Sequence, residues 1–211
     1  TAGPDRIVAS NAIAIAALVR SLGADDVDGG IVPDDRDRFA AAVDGAVADG
    51  ADILVTLGGA SVGEHDLARE VLEDRGMELG FWKIAMRPGK PLIFGRIGAT
   101  RVLGLPGNPV SSLVCALVFL KPLVAALLGL PPEEPTVAAR LGAPMPPNDR
   151  RQDYVRGSLV ETGDGRRIAT PFPRQDSSML STLAEADCLI VRAPHAPAAA
   201  ADEPCRVVLL P

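Results

Sequence analysis

The sequence predicts an α/β fold, a three-layer, doubly wound and mostly parallel sheet, followed by a small, mostly β domain. Three observations carry that expectation. Strand-like apolar runs alternate with runs of helical period from residue 10 to about residue 129, and such alternation builds a parallel sheet with helices on both faces. The pattern then breaks at "LPPEEPT" (130–136), a linker by composition, after which only short strand-like runs separated by turns remain. Finally, the 211 residues are 47% hydrophobic but only 3% aromatic, so the core is ample and is built from Ala, Val, Leu and Ile. The expected boundaries are 1–132 and 133–211.

Residues 10–22 read as a helix, capped by Ser10, with Ala14, Ile15, Leu18 and Leu22 on one apolar face. A short strand is expected near 25–29. Asp34 and Asp35 open a second helix that runs to about Asp49 and stops at Gly50. "DILVTL" (52–57) reads as a buried parallel strand. "GGASVGEH" is a loop, and Asp66 caps a helix that runs through Arg75 and is closed by Gly76. Strands follow at about 77–84, 91–95 and 101–105, then a long helix over 109–129, bent at Pro122. In the second part, "TVAARL", "YVRGSLV", "RRIATPF", "DCLIVRA" and "CRVVLL" read as strands, "TGDG" as a turn and 193–204 as a loop. Only "DRIV" precedes the first helix, so the chain reads as beginning inside a domain.

Net charge is −6, which argues against nonspecific nucleic-acid binding. The longest apolar run is broken by Lys121 and Pro122, and no leader pattern occupies residues 1–10, so no membrane attachment is expected. Cys115, Cys188 and Cys205 are far apart, with no CxxC, which suggests neither a disulfide frame nor a zinc site. Cys115 reads as a small core residue. A cytoplasmic location fits.

Three loops carry chemistry. Gly58 and Gly59 follow a strand, let a backbone approach a ligand closely and offer N–H groups to a phosphate; an ordinary βα turn is the alternative. Within the same loop, Gly59-Ala60-Ser61-Val62-Gly63 matches the G-x-S-x-G elbow of serine hydrolases, but the helix starts five residues after Ser61 and no suitable histidine follows. Lys83, Arg87 and Lys90 place three cations within eight residues, which suggests an anionic ligand, or else a solvated turn. In "LGLPGNPVSSLV" (103–114), Pro106 and Pro109 stiffen a loop in which Gly107 permits close approach, Asn108 is a natural cap, and Ser111 adds a hydroxyl to the first helical turn. Asp34 and Asp66 are acidic candidates able to hold Mg²⁺ or aim a water, whereas capping is the simpler role for Asp35.

Taken together, "SN" (10–11), "GIVPDD" (30–35), "TLGGASVGEHD" (56–66), "FWKIAMRPGKPLIFGR" (81–96), "GLPGNPVSS" (104–112) and "QDSSMLSTLAEAD" (175–187) resemble, in order and over nearly the whole chain, the molybdopterin molybdotransferases. These molybdenum insertases of molybdenum-cofactor synthesis include the C-terminal part of gephyrin. The resemblance implies a molybdopterin-binding α/β domain and a C-terminal β-barrel. The implied activity inserts molybdate into adenylylated molybdopterin with release of AMP, Mg²⁺ taking part. It further implies a homodimer in the full-length protein and a molybdopterin adenylyltransferase as upstream partner. Carried over residue by residue, Asp34, Asp66, Lys83 and Arg87 fall on catalytic positions, with Asp34 and Asp66 as metal ligands. Gly58, Gly59, Ser61, Lys90, Pro106, Gly107, Asn108, Pro109, Ser111 and Ser177 fall on substrate-binding ones. Arg87 stands where the family usually has a lysine, and Ala9 and Ala12 replace the Asp and Arg that commonly flank "SN". The family's N-terminal domains have no counterpart in this sequence, so the chain is expected to bind pterin yet insert molybdenum weakly or not at all alone. Three alternatives remain: the adenylyltransferase, which lacks the second domain; a non-enzymatic gephyrin-like scaffold; and a serine hydrolase.

Overall fold

A computed structural model describes residues 10–58, 67–131, 136–177 and 179–210. The chain divides into two compact units: residues 1–84 with 91–131, and residues 85–90 with 132–211. Residues 85–90 leave the first unit for the second.

In the first unit, helix α1 (Ser10–Ser21) buries Ile15 and half-buries Ala14 and Leu18, and Leu22 in the turn just after it is half-buried too. The strand expected near 25–29 does not form. Asp28 Oδ1 instead accepts from the Gly30 amide at 2.8 Å, Gly30 takes a φ of 76°, and Val27 is 95% exposed. Asp and Gly favour such local bonds over a ladder. Helix α2 (Arg36–Ala48) is capped by Asp35, whose carboxylate accepts from the Arg38 amide at 2.9 Å. Strand β1 (Ile53–Leu57), helix α3 (Leu67–Asp74) and strand β2 (Glu78–Trp82) follow, close to expectation. After β3 (Met86–Arg87), which belongs to the second unit, come β4 (Ile93–Ile97) and β5 (Thr100–Leu105).

The first sheet has the order β1-β5-β4-β2. The β1–β5 pair is parallel, whereas β5–β4 and β4–β2 are antiparallel, so this sheet is mixed. Length explains the hairpin. Only Gly98 and Ala99 separate the paired ends Ile97 and Thr100, far short of a parallel crossover. Side chains then alternate between faces. Trp82 and Ile93 join Leu72 of α3 and Val43 of α2 in one core cluster. Full burial of a residue such as Leu72 stabilises by roughly 2 kcal/mol. Phe81 and Phe94 turn the other way and stack at 5.2 Å. Across α2 and α3, Arg36 pairs with Asp74 and, at 3.4 Å, with Glu70.

The long helix runs from Pro109 to Leu127 as α4 (Pro109–Cys115), a π-helical turn (Ala116–Leu120) and α5 (Lys121–Leu127). Pro122 does not simply bend it. Proline lacks an N–H and crowds the preceding turn, and widening that turn relieves both problems. By length and composition alone, Pro109–Leu127 is apolar enough to cross a membrane. Its buried Val110, Val114, Leu120 and Val124, and its contact with α1, are those of a core helix. Phe119 on the π turn reaches Phe81 at 6.2 Å, so helix covers the second sheet face.

The second unit contains β6 (Val137–Leu141), β7 (Gln152–Glu161), β8 (Arg167–Pro171), the short helix α6 (Leu180–Ala184), β9 (Cys188–Arg192) and β10 (Pro204–Leu209). The order β7-β8-β6-β10-β9 closes through β9–β7, making a five-stranded barrel with β3 added in parallel to β7. Ala139, Leu141, Ala169, Ile190 and Val207 fill it. All five expected strands and the "TGDG" turn are present; α6 went unforeseen.

Candidate functional site

Two loops of the first unit meet at the carboxyl ends of its parallel strands, where ligands of open α/β sheets bind. β1 and β5 end in register at Leu57 and Leu105. Gly58 follows with a φ of 82°, and its N–H donates to the Leu105 carbonyl at 3.0 Å. A Cβ on Gly107 would lie 3.4 Å from the Cα of Gly58, so the loops touch backbone to backbone. Asn11 on α1 pins this contact: its side-chain amide donates to the Gly107 carbonyl at 2.8 Å. Pro106 is buried and Pro109 occupies the start of the helix, which keeps the loop stiff.

Asn108 departs from expectation. Its backbone carbonyl accepts from the Ser112 amide at 2.8 Å, but its side chain makes no cap bond. Pro109 already removes one orphan donor of the helix, which lessens the demand for a side-chain cap. Asn108 Oδ1, Ser112 Oγ and Thr56 Oγ1 are all buried without a hydrogen-bond partner, and Ser111 is 7% exposed. Buried polar atoms are nearly always paired. Three such atoms lie on or just after β1 and β5.

Lys83 also belongs to the first unit. It has a φ of 60°, a left-handed conformation that costs a non-glycine residue about 1–2 kcal/mol. Its amide donates to Leu92 at 3.0 Å, and its Nζ lies 3.7 Å from the centroid of the Trp82 ring. The Arg69 guanidinium lies 4.1 Å from the same centroid. Sequence reading missed both Trp82 and Arg69, although a lone tryptophan beside a candidate lysine was a usable signal.

The three cations divide between the units, with Lys83 in the first. Arg87 and Lys90 fall in the second unit, where Lys90 is exposed. Arg87 is engaged there by the buried carboxylate of Asp153, by Asp149 at 3.4 Å and by Asn148 Oδ1 at 3.4 Å. The hydrogen bonds of Arg151, with help from the charge of Arg87, hold the Asp149 carboxyl down at about 2. Arg87 therefore has carboxylate partners within its own unit.

Asp34 is exposed at a turn closed by the Asp35 amide on the Pro33 carbonyl, 2.7 Å. Ser177 is half-buried in a loop of the second unit. That loop is held by Arg156, only 2% exposed, whose Nε donates to Gln175 Oε1 at 3.3 Å and whose Nη1 donates to the Met179 carbonyl at 3.2 Å. Burial pushes the Arg156 guanidinium below its ordinary value, and Asp176 partly opposes this. Gly59, Ser61 and Asp66 lie outside the described residues. Of the hydrolase alternative, His195 is exposed in a turn of the second unit. Among the described residues no group of three or more His, Cys, Asp or Glu side chains converges.

These features define an α/β unit, with glycine loops meeting at a sheet end, followed in sequence by a closed barrel. A family model described as "Probable molybdopterin binding domain" matches residues 2–126, and one described as "MoeA C-terminal region (domain IV)" matches residues 138–210. The chain belongs to the molybdopterin-binding domain family. It is 34% identical over 188 residues to a molybdopterin molybdenumtransferase of Haemophilus influenzae, covering 88% of this chain and 46% of that protein. Against the Bacillus subtilis protein of the same name it is 33% identical over 189 residues, covering 89% and 44%. A solved structure of a molybdopterin biosynthesis MoeA protein from Pyrococcus horikoshii matches with a TM-score of 0.82 at 27% identity, covering 99% of this chain and 50% of that one. The chain spans about half the length of these relatives.

Proposed function

We propose that the chain forms the pterin-binding part of a molybdopterin molybdenumtransferase, which inserts molybdate into adenylylated molybdopterin and releases AMP. The observation that carries the reading is the contact of the Gly58 and Gly107 loops, pinned by Asn11, with unpartnered buried oxygens on nearby residues of the same two chain segments. The match of residues 138–210 favours this over the adenylyltransferase.

In this reading the glycine loops admit the pterin phosphate to close range of backbone N–H groups. Asn108, Ser111 and Ser112 offer hydrogen bonds to polar atoms of the ligand, and Pro106 and Pro109 hold those groups still. Lys83 supplies positive charge where molybdate, phosphate and dithiolene are all anionic. Gly59, Ser61, Asp66, Asp34, Lys90 and Ser177 are proposed as the remaining site positions. Arg87 is proposed as a site residue whose charge is shared with Asp149 and Asp153. Mg²⁺ accompanies the expected chemistry, with Asp34 and Asp66 proposed as its ligands, but among the described residues no three His, Cys, Asp or Glu side chains converge. No step is therefore routed through a metal.

The reading places the protein in the cytoplasm, downstream of an adenylyltransferase, as a homodimer in its full-length form, with no nucleic-acid or membrane partner. Isothermal titration of the purified chain with adenylylated molybdopterin tests it, with AMP release followed after molybdate is added. Binding with slow or no turnover is expected. A folded chain that fails to bind pterin overturns the proposal, and rapid turnover overturns the expectation that the remaining length of the relatives is needed.

A further inference from the structure

We infer that Trp82 and Arg69 are positioning residues for the Lys83 ammonium. The inference rests on the reading of Lys83 as part of the pterin site. In a strand, successive side chains point to opposite faces, so Lys83 in extended backbone would point away from the ring of Trp82. The left-handed φ of 60° at Lys83 breaks that alternation and sets its Nζ 3.7 Å from the ring centroid. Backbone held in a sparsely populated region persists only where its surroundings fix it, and it gathers at functional sites.

The ring itself is a firm platform. Trp82 packs against the cluster of Val43, Leu72 and Ile93, and pairs with Ile93 in the β2–β4 ladder. From α3, the helix that follows the 59–66 segment, Arg69 brings its guanidinium to 4.1 Å from the same centroid while pairing with Glu73 at 3.3 Å. The two cations are at most about 8 Å apart, the two centroid distances laid end to end. The electron-rich ring face attracts both, and so offsets the repulsion between them. The outcome is a fixed ammonium where a lysine would otherwise sample many rotamers, with a second positive group nearby. An incoming oxyanion meets charges already in place, which is how a preorganised electrostatic site works.

The chain has three lysines, Lys83, Lys90 and Lys121, and a single tryptophan, so both partners can be read directly. Trace acetylation with acetic anhydride, followed by mass spectrometry, gives the ratio of Lys83 to Lys90 labelling. Trp82→Leu is expected to raise that ratio about threefold by freeing the ammonium, and Trp82→Phe to return it towards the parent value, because a ring is restored. In Arg69→Gln and Lys83→Met the tryptophan remains, and its emission is expected to shift to the red as the ring face opens to water. Adenylylated molybdopterin is expected to protect Lys83 in the parent chain and less so in Trp82→Leu. Equal labelling ratios in parent and Trp82→Leu overturn the inference, as does unchanged emission in both Arg69→Gln and Lys83→Met, which serve if Trp82→Leu does not fold. The ratio and the emission need no ligand, so a chain that shows the clamp yet binds no pterin overturns the site reading alone.

Discussion

Asn11 and Gly107, 96 residues apart in sequence, are joined by one hydrogen bond of 2.8 Å from the asparagine amide to the glycine carbonyl. It ties the first helix to the loop that closes on Gly58. Asn11→Ala is expected to cost about 0.5–1.5 kcal/mol of stability and to weaken pterin binding more than that figure implies, because the loop loses its anchor. Chemical denaturation and isothermal titration on the same samples check both. Equal loss in the two would show that the bond serves the fold alone.

Lys83 separates strain from stability. Glycine relieves the left-handed backbone, worth about 1–2 kcal/mol, and removes a cation–π contact worth about 0.5–1 kcal/mol. Lys83→Gly should therefore stay within about 1 kcal/mol of the parent in stability while losing anion affinity. A melting curve together with a titration of phosphate or molybdate reads the two effects apart.

Arg156→Met removes the donors to Gln175 and Met179 and leaves the Met179 carbonyl without that bond. The expected loss is about 1–3 kcal/mol. The loop carrying Ser177 should loosen with it, seen as faster tryptic cleavage at Arg174. Cleavage at the parent rate would dispose of the anchoring role.

Asp149 gives the barrel unit an acid-sensitive contact. Its folded value of about 2 lies below the ordinary 3.8, so the stability it supplies is complete above the ordinary value and is lost as pH falls towards 2. Asp149→Asn should flatten the dependence of melting temperature on pH across that interval. The group is exposed, so the effect should shrink at about 1 M salt.

Burial pushes the thiols of Cys115 and Cys188 up to about 12, and that of Cys205 is raised as well. At pH 8 a thiol at about 12 is ionised to only about one part in ten thousand. Ellman's reagent should label the folded chain slowly and give three equivalents on unfolding; rapid labelling of the native protein would contradict the described burial.

Most elements were readable because their signals are local. The Asp35 cap, the Gly50 and Gly76 stops and the five barrel strands each follow from residues within a few positions. The mixed character of the first sheet depends instead on the two-residue turn at Gly98–Ala99, which the strand runs alone did not reveal. Two further outcomes are tertiary. Arg87 finds Asp149 and Asp153 more than sixty residues away, and the Trp82 ring gathers Lys83 and Arg69 from opposite ends of an interval that sequence spacing does not link. The glycine loops were legible as candidates, but the unpartnered oxygens on nearby residues appear only once the chain is folded.

The strand Met86–Arg87 lies inside the segment matched by the first family model, yet it pairs with Gln152 and Asp153 of the barrel. The two units are thus not interchangeable modules. A recombination event between residues 126 and 138 would hand a new host a barrel stripped of its added edge, with the carboxylate of Asp153 left without its arginine. Exchange of these units through evolution, or by gene fusion at the bench, has to carry residues 85–90 along with the second unit.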